Sequence, residues 1–129
     1  MKILLISNDI SLQTIFDNYN YDPNISKQTI SRMSDPFEFL AEFYALNPSV
    51  IVIDDDLLKP NTEKIIEAIR RFNKKVIILF VTSDTSLDLG KKIIPLGIYY
   101  YSIKPVTEKN FYELLGAINN TITKKHLNS

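Results

Sequence analysis

The chain has 129 residues, 45% of them hydrophobic, which is enough to fill the core of one domain, and one domain without accessory modules is expected. Fifteen basic and fifteen acidic side chains cancel, so there is no electrostatic footprint for nucleic acid or an anionic membrane, and direct DNA binding is not expected. The absence of cysteine removes disulfides, thiolate metal sites and thiol catalysis together.

Ile3 to Ile6 is a short apolar run suited to a strand buried on both faces, and Ser7-Asn8-Asp9 breaks it too soon for a signal peptide. Leu12, Ile15, Phe16 and Tyr19 then recur at three- and four-residue spacing, the stripe of an amphipathic helix. Residues 25 to 32 alternate weakly through Ile25, Lys27, Thr29, Ile30 and Arg32 and read as a further strand. Asp35-Pro36 with Glu38 offers a cap, a first-turn proline and a capping-box acid for a helix carrying Phe37, Leu40, Ala41 and Tyr44. Val50 to Ile53 is the next apolar strand, after which Asn61 caps a helix with Ile65, Ala68, Ile69 and Phe72. Val76 to Val81 is a fourth strand, 87 to 96 a short fourth helix interrupted by Gly90 and Pro95, and Ile98 to Ile103 a fifth strand. Thr107 opens a last helix through Phe111, Leu114, Leu115, Ile118 and Ile122, so the domain spans 1–123, with 124–129 as a frayed tail. No apolar run reaches membrane-spanning length, and the chain is expected in the cytoplasm without membrane contact.

Strands alternating with helices imply βαβ units and right-handed crossovers, hence an α/β, doubly wound parallel sheet of five strands with five helices on its two faces. The ligand crevice of such a sheet lies beyond the carboxyl ends of its strands. There the sequence places Ser7, Asn8 and Asp9; Asp54, Asp55 and Asp56; Thr82 and Ser83; and Lys104-Pro105. A carboxylate, a hydroxyl and an ammonium in one crevice suit phosphoryl transfer, in which the protein mainly positions groups and neutralises charge. Asp54 would be the nucleophile, with Lys104 pairing with one phosphoryl oxygen and Thr82 donating a hydrogen bond to another.

On these residues the chain resembles the receiver domain of bacterial response regulators over nearly its whole length. Pro48-Ser49-Val50-Ile51-Val52-Ile53-Asp54 resembles the family's phosphoacceptor strand, Phe80-Val81-Thr82-Ser83 its switch-hydroxyl strand, and Gly97 through Tyr101-Ser102-Ile103-Lys104-Pro105 its closing strand and Lys-Pro turn. The resemblance implies a flavodoxin-like sheet in the order 2-1-3-4-5 and a two-component switch that is not an enzyme. It implies phosphorylation of Asp54 by a histidine kinase or phosphotransfer protein, with Thr82 and Tyr101 as coupled switch residues, Ser83 and Lys104 at the phosphoryl group, and a Lys104-Pro105 peptide that is usually cis. Output would pass to a downstream protein or a second copy through the surface of the fourth helix, fifth strand and fifth helix. Tyr99, Tyr100 and Tyr101 alternate along that strand, so some of their rings must be exposed there.

Two positions depart from the family. Receivers carry an acidic pair after the first strand that helps bind magnesium, and Ser7 and Asn8 stand there instead. Asp9 comes one residue late and is expected to point elsewhere, leaving Asn8, Asp54 and the backbone carbonyl of Asp56 as candidate ligands for a weakened or absent Mg2+ site. Leu58 replaces a common proline, with Pro60 two residues on, so that loop is expected to follow a different path. These departures keep open a pseudo-receiver, an interaction module of the same fold that works without phosphate. Asp54-x-Asp56 also resembles the first motif of haloacid-dehalogenase-type phosphatases, but those carry it near the N-terminus, whereas a whole strand-helix-strand unit precedes it here. Nucleotide-binding loops of the G-x-x-x-x-G-K-[ST] and G-x-G-x-x-G types are absent, and the only histidine, His126, falls in the tail and is read as inert.

Overall fold

In the computed structural model, residues 1–20 and 22–127 are described, with side chains as far as Lys124. The chain runs β1 (Lys2–Ile6), α1 (Ile10–Asp17), β2 (Ser26–Ile30), α2 (Phe39–Leu46), β3 (Val50–Asp54), α3 (Asp55–Leu58), α4 (Thr62–Phe72), β4 (Ile77–Thr82), α5 (Leu87–Ile93), a 3-10 turn (Ile94–Leu96), β5 (Tyr100–Ile103) and α6 (Glu108–Leu127). All strand pairs are parallel, in the order β2-β1-β3-β4-β5.

Successive side chains of a strand point to opposite faces, and here each face has its own core. Leu4, Ile6, Ile51, Ile53, Ile78 and Phe80 meet Phe39 and Phe43 of α2, Ile65, Ile66 and Ile69 of α4, and Ile93 of α5. Ile3, Leu5, Val50, Val52, Leu79 and Val81 meet Leu12 and Phe16 of α1 and Phe111, Leu115 and Ile118 of α6. Burial on both sides is why β1, β3 and β4 read as unbroken apolar runs. β2 and β5 lie at the sheet edges and bury fewer residues, which explains the weak alternation of the former.

Among the described residues six helices form rather than five, the additional one being the single turn α3. The Asp54 carboxylate caps it by accepting the N–H of Asp56 at 3.0 Å, and Leu58 at its end is fully buried. The chain then turns through Lys59-Pro60, so Leu58 serves the core where a loop proline was the family's pattern; both Lys59-Pro60 and Lys104-Pro105 are cis. α2 begins at Phe39, later than the Asp35-Pro36 signal. Asp35 instead accepts the Phe37 N–H at 2.8 Å, and Glu38 accepts the backbone and hydroxyl of Ser34, so these residues close a turn ahead of the helix. α6 is helical through Leu127, past the boundary expected at 123; the His126 side chain lies outside the described residues.

One side chain sets how the last strand is delivered. Arg70 near the end of α4 donates to the carbonyls of Val76 at 2.6 Å, Leu96 at 3.1 Å and Gly97 at 2.6 Å, tying α4 to the entry of β4 and the turn before β5. Gly97 has φ 83°, and a Cβ there would lie 3.2 Å from Arg70 Nε. Among the described residues, no helix is long and apolar enough to cross a membrane.

Candidate functional site

Strand parity decides which polar side chains meet at the carboxyl edge. Ser7 continues the face of Ile3 and Leu5, and Asp54 that of Val50 and Val52, so both emerge on the α1 and α6 side. Asp55 falls on the opposite side, where Thr82 continues the face of Ile78 and Phe80. The edge therefore carries two polar clusters.

The first is centred on Lys104, just beyond β5, whose N–H donates to the Thr82 carbonyl at 2.8 Å. Its ammonium lies 2.8 Å from Asp54 Oδ2, 3.0 Å from Asp56 Oδ2 and 3.1 Å from Asp9 Oδ2. Asp54 is fully buried, and its Oδ2 also accepts the Ser7 hydroxyl at 2.6 Å. Burial would lower the Lys104 pKa, but the hydrogen bonds it donates to the three carboxylates outweigh this and raise it above the ordinary lysine value. Burial likewise acts to raise Asp9 and Asp56, and both are nonetheless held below the usual aspartate value. Lys104 and the N–H groups of Leu12 and Ser11 do this for Asp9; Ser83 and Lys104 do it for Asp56. Ser83 donates its hydroxyl to Asp56 Oδ1 at 2.7 Å.

Asp9 corrects the expectation that it points away. Its Oδ1 caps α1, accepting from Ser11 N–H at 2.9 Å and Leu12 N–H at 3.3 Å, and that geometry turns Oδ2 into the crevice. Asn8, by contrast, is exposed, and its side chain makes no hydrogen bond among the described residues.

The second cluster is buried. Asp55, 3% exposed, accepts the hydroxyl of Thr62 on Oδ1 at 2.7 Å and that of Thr82 on Oδ2 at 2.9 Å. Thr82 Oγ1 in turn accepts the Asp84 N–H at 3.0 Å. Tyr101 packs its ring on Phe80, centroids 5.0 Å apart, on the same face.

No family model matches the chain. A curated relative, the protein-glutamate methylesterase/protein-glutamine glutaminase 1 of Methanospirillum hungatei, is 27% identical over 126 residues, covering 95% of this chain. The chain spans only 36% of that relative's length. Among solved structures, the signal receiver domain of a LuxO repressor homologue from Vibrio parahaemolyticus superposes with a TM-score of 0.78 at 17% identity, over 98% of this chain and 95% of that one. A CheY-like response regulator receiver domain protein from Methanospirillum hungatei gives 0.75 at 17% identity, over 99% and 98%. The chain has the response-regulator receiver fold.

In this receiver frame, the α5 and β5 part of the surface of α5, β5 and α6 carries several exposed apolar side chains, with Leu87, Ile94, Tyr99, Tyr100 and Ile103 between 44% and 81% exposed. Of the three tyrosines Tyr101 is the one packed against the core; alternation along β5 separates it from Tyr100, and Tyr99 lies ahead of the strand. For the magnesium ion that the resemblance implies, the carboxylates of Asp9, Asp54 and Asp56 are donors of the right chemistry. Those oxygens meet on the Lys104 ammonium, however, and among the described residues no group of three or more acids, histidines or cysteines is arranged to hold a metal ion. As they stand, these residues do not fit the cation.

Ser7, Asp9 and Asp55 stand at the crevice in the sequence, but the contacts they make there were not foreseen. Parity would have found Ser7 and Asp55, by projecting each strand's alternation one residue past its end. For Asp9 the available signal was its position as helix N-cap.

Proposed function

We propose that the chain is a two-component receiver whose switch is phosphorylation of Asp54. The observation that supports this reading best is the Lys104 ammonium 2.8 Å from the Asp54 carboxylate at the carboxyl edge of the sheet. A histidine kinase or phosphotransfer protein in the cytoplasm presents a phosphohistidine. A carboxylate oxygen of Asp54 bonds to phosphorus as the phosphorus–nitrogen bond breaks, and the electron pair stays on the imidazole nitrogen. Because Asp54 is fully buried, transfer begins with displacement of the Ser7 hydroxyl and the Lys104 side chain from above it. The added phosphoryl group brings about two negative charges at neutral pH, which Lys104 neutralises and the hydroxyls of Thr82 and Ser83 can solvate.

The change leaves through Tyr101 and the apolar surface of α5, β5 and α6 to a downstream protein or a second copy of the chain. The chain acts as a signalling element, and the absence of a basic surface excess gives it no direct role on nucleic acid. Magnesium binding drawn from Asn8, Asp54 and the backbone carbonyl of Asp56 is proposed to be weak, because it competes with Lys104 for the Asp54 carboxylate.

A second reading, a pseudo-receiver working through fixed protein contacts, is favoured by the Ser7 hydroxyl that occupies an acid's place and seals Asp54. Beryllofluoride in magnesium buffer separates the two. Amide shifts at Thr82, Tyr101 and Lys104 that an Asp54→Asn variant lacks support the switch. A spectrum unchanged by the mimic supports the pseudo-receiver.

A further inference from the structure

Of the three consecutive aspartates, Lys104 touches Asp54 and Asp56 but not Asp55. Asp55 is held instead by two hydroxyls from other elements, Thr62 at the start of α4 and Thr82 at the end of β4. A threonine hydroxyl has one proton to donate. While Thr82 gives it to Asp55 Oδ2, it has none for a phosphoryl oxygen on Asp54, and its acceptor side is used by the Asp84 N–H. Strand parity sharpens the conflict, because Thr82 and Asp54 start from opposite faces of the sheet. Thr82 reaches a phosphoryl group only by rotating over the edge and leaving Asp55.

A second donor lies on the same face of the sheet. The Tyr101 hydroxyl is buried and has no hydrogen-bond partner among the described residues. Burial raises its pKa first of all, and the charges of Asp55 and Asp84 raise it further. An unpaired buried donor is unfavourable, and so is a buried carboxylate that loses one.

We propose that Asp55 is a positioning residue that competes with the phosphoryl group for the single proton of Thr82, and that Tyr101 replaces Thr82 on Asp55 when the phosphoryl group wins. The exchange conserves hydrogen bonds on Asp55 and pairs the orphaned phenol, so the inward position of Tyr101 is coupled to phosphorylation through a named carboxylate. The proposal rests on the Asp54 reading for its phosphoryl half, and its tyrosine half stands without phosphate.

Two measurements on the full chain test it. In the first, beryllofluoride is titrated in magnesium buffer into wild type, Asp55→Asn and Thr62→Val. The asparagine variant gives Thr82 a weaker acceptor, and the mimic binds about ten-fold tighter. Thr62→Val leaves Asp55 dependent on Thr82, and the mimic binds several-fold weaker, about three-fold or more. A purely structural role for Asp55 would weaken binding in both variants. In the second measurement, without any mimic, Thr82→Val vacates Asp55 Oδ2. The Tyr101 hydroxyl proton then becomes slowly exchanging and shifts downfield, and Thr82→Val/Asp55→Asn reverses the change. Tyr101 unmoved in Thr82→Val, or equal mimic affinity for wild type and Asp55→Asn, overturns the proposal while leaving the Asp54 reading intact. A mimic that fails on wild type while Tyr101 responds to Thr82→Val supports the Asp55 exchange and removes the Asp54 reading.

Discussion

Replacing Lys104 by methionine removes one ammonium from three carboxylates while keeping most of the side chain's volume. A surface ion pair is worth about 0–1 kcal/mol, because water already solvates both partners. Lys104 is not such a case, since its side chain is only 17% exposed and Asp54 is 0% exposed. Breaking a buried pair leaves the surviving charge uncompensated, and the loss is then about 3–5 kcal/mol. The low end applies here, because Asp54 keeps the Ser7 hydroxyl and the Asp56 N–H, and Asp9 and Asp56 are partly solvated. We therefore expect Lys104→Met to cost about 3 kcal/mol at pH 7, a fall in Tm of roughly 10–15 °C for a domain of this size. Urea titration and thermal circular dichroism measure both. Lys104→Met/Asp54→Asn removes the stranded charge and recovers about 2 kcal/mol of the loss, a coupling that a double-mutant cycle isolates. A loss below about 1 kcal/mol, or strict additivity of the two substitutions, refutes the reasoning.

Ser7→Ala withdraws one donor from Asp54 and is expected to destabilise the fold by about 1–2 kcal/mol in urea. It also uncovers the carboxylate, so labelling by a small phosphodonor becomes faster. Tyr101→Phe deletes a buried hydroxyl that has no partner among the described residues, so its unfolding free energy in urea equals or exceeds that of wild type by up to about 1 kcal/mol, while the response of the α5, β5 and α6 face to beryllofluoride is lost. The pH profile follows from the signs of the shifts. Asp9 and Asp56 are lowered from 3.8, so their contribution is full above that value and is lost as pH falls through the folded values. Lys104 is raised from 10.5, so its contribution is full below that value and is lost as pH rises through its folded value. Chemical denaturation across pH should thus show this cluster's stabilisation as a plateau between about 4 and 10, declining on both sides.

What could be read in the sequence is what depends on local period. β1, β3 and β4 are buried on both faces and announce themselves as apolar runs, and α4 shows its stripe at Ile65 and Ile69 because Glu63, Lys64, Glu67, Arg70 and Arg71 occupy its other faces. The edge strand β2 was faint because its burial alternates incompletely, and α3 was invisible because a one-turn helix has no period to detect. Asp54, Thr82 and Lys104 could be singled out because each ends a strand. Their partners could not be singled out in the same way. The Ser7–Asp54 bond joins residues 47 apart, and Lys104 reaches Asp54 across 50, so both depend on strand order and register. Thr82 and Asp54 were assigned to one constellation from their common position at the sheet edge, whereas parity sends their side chains to different faces and gives Thr82 to Asp55.

The central claim is that Asp54 is the phosphoacceptor, and three consecutive aspartates make the question of position directly answerable. Wild type, Asp54→Asn, Asp55→Asn and Asp56→Asn are each incubated with a small-molecule phosphodonor in magnesium buffer, and intact mass is recorded. The account predicts a gain of one phosphoryl group in wild type and in Asp55→Asn, and none in Asp54→Asn. Labelling that survives in Asp54→Asn, or no labelling of wild type, would contradict it.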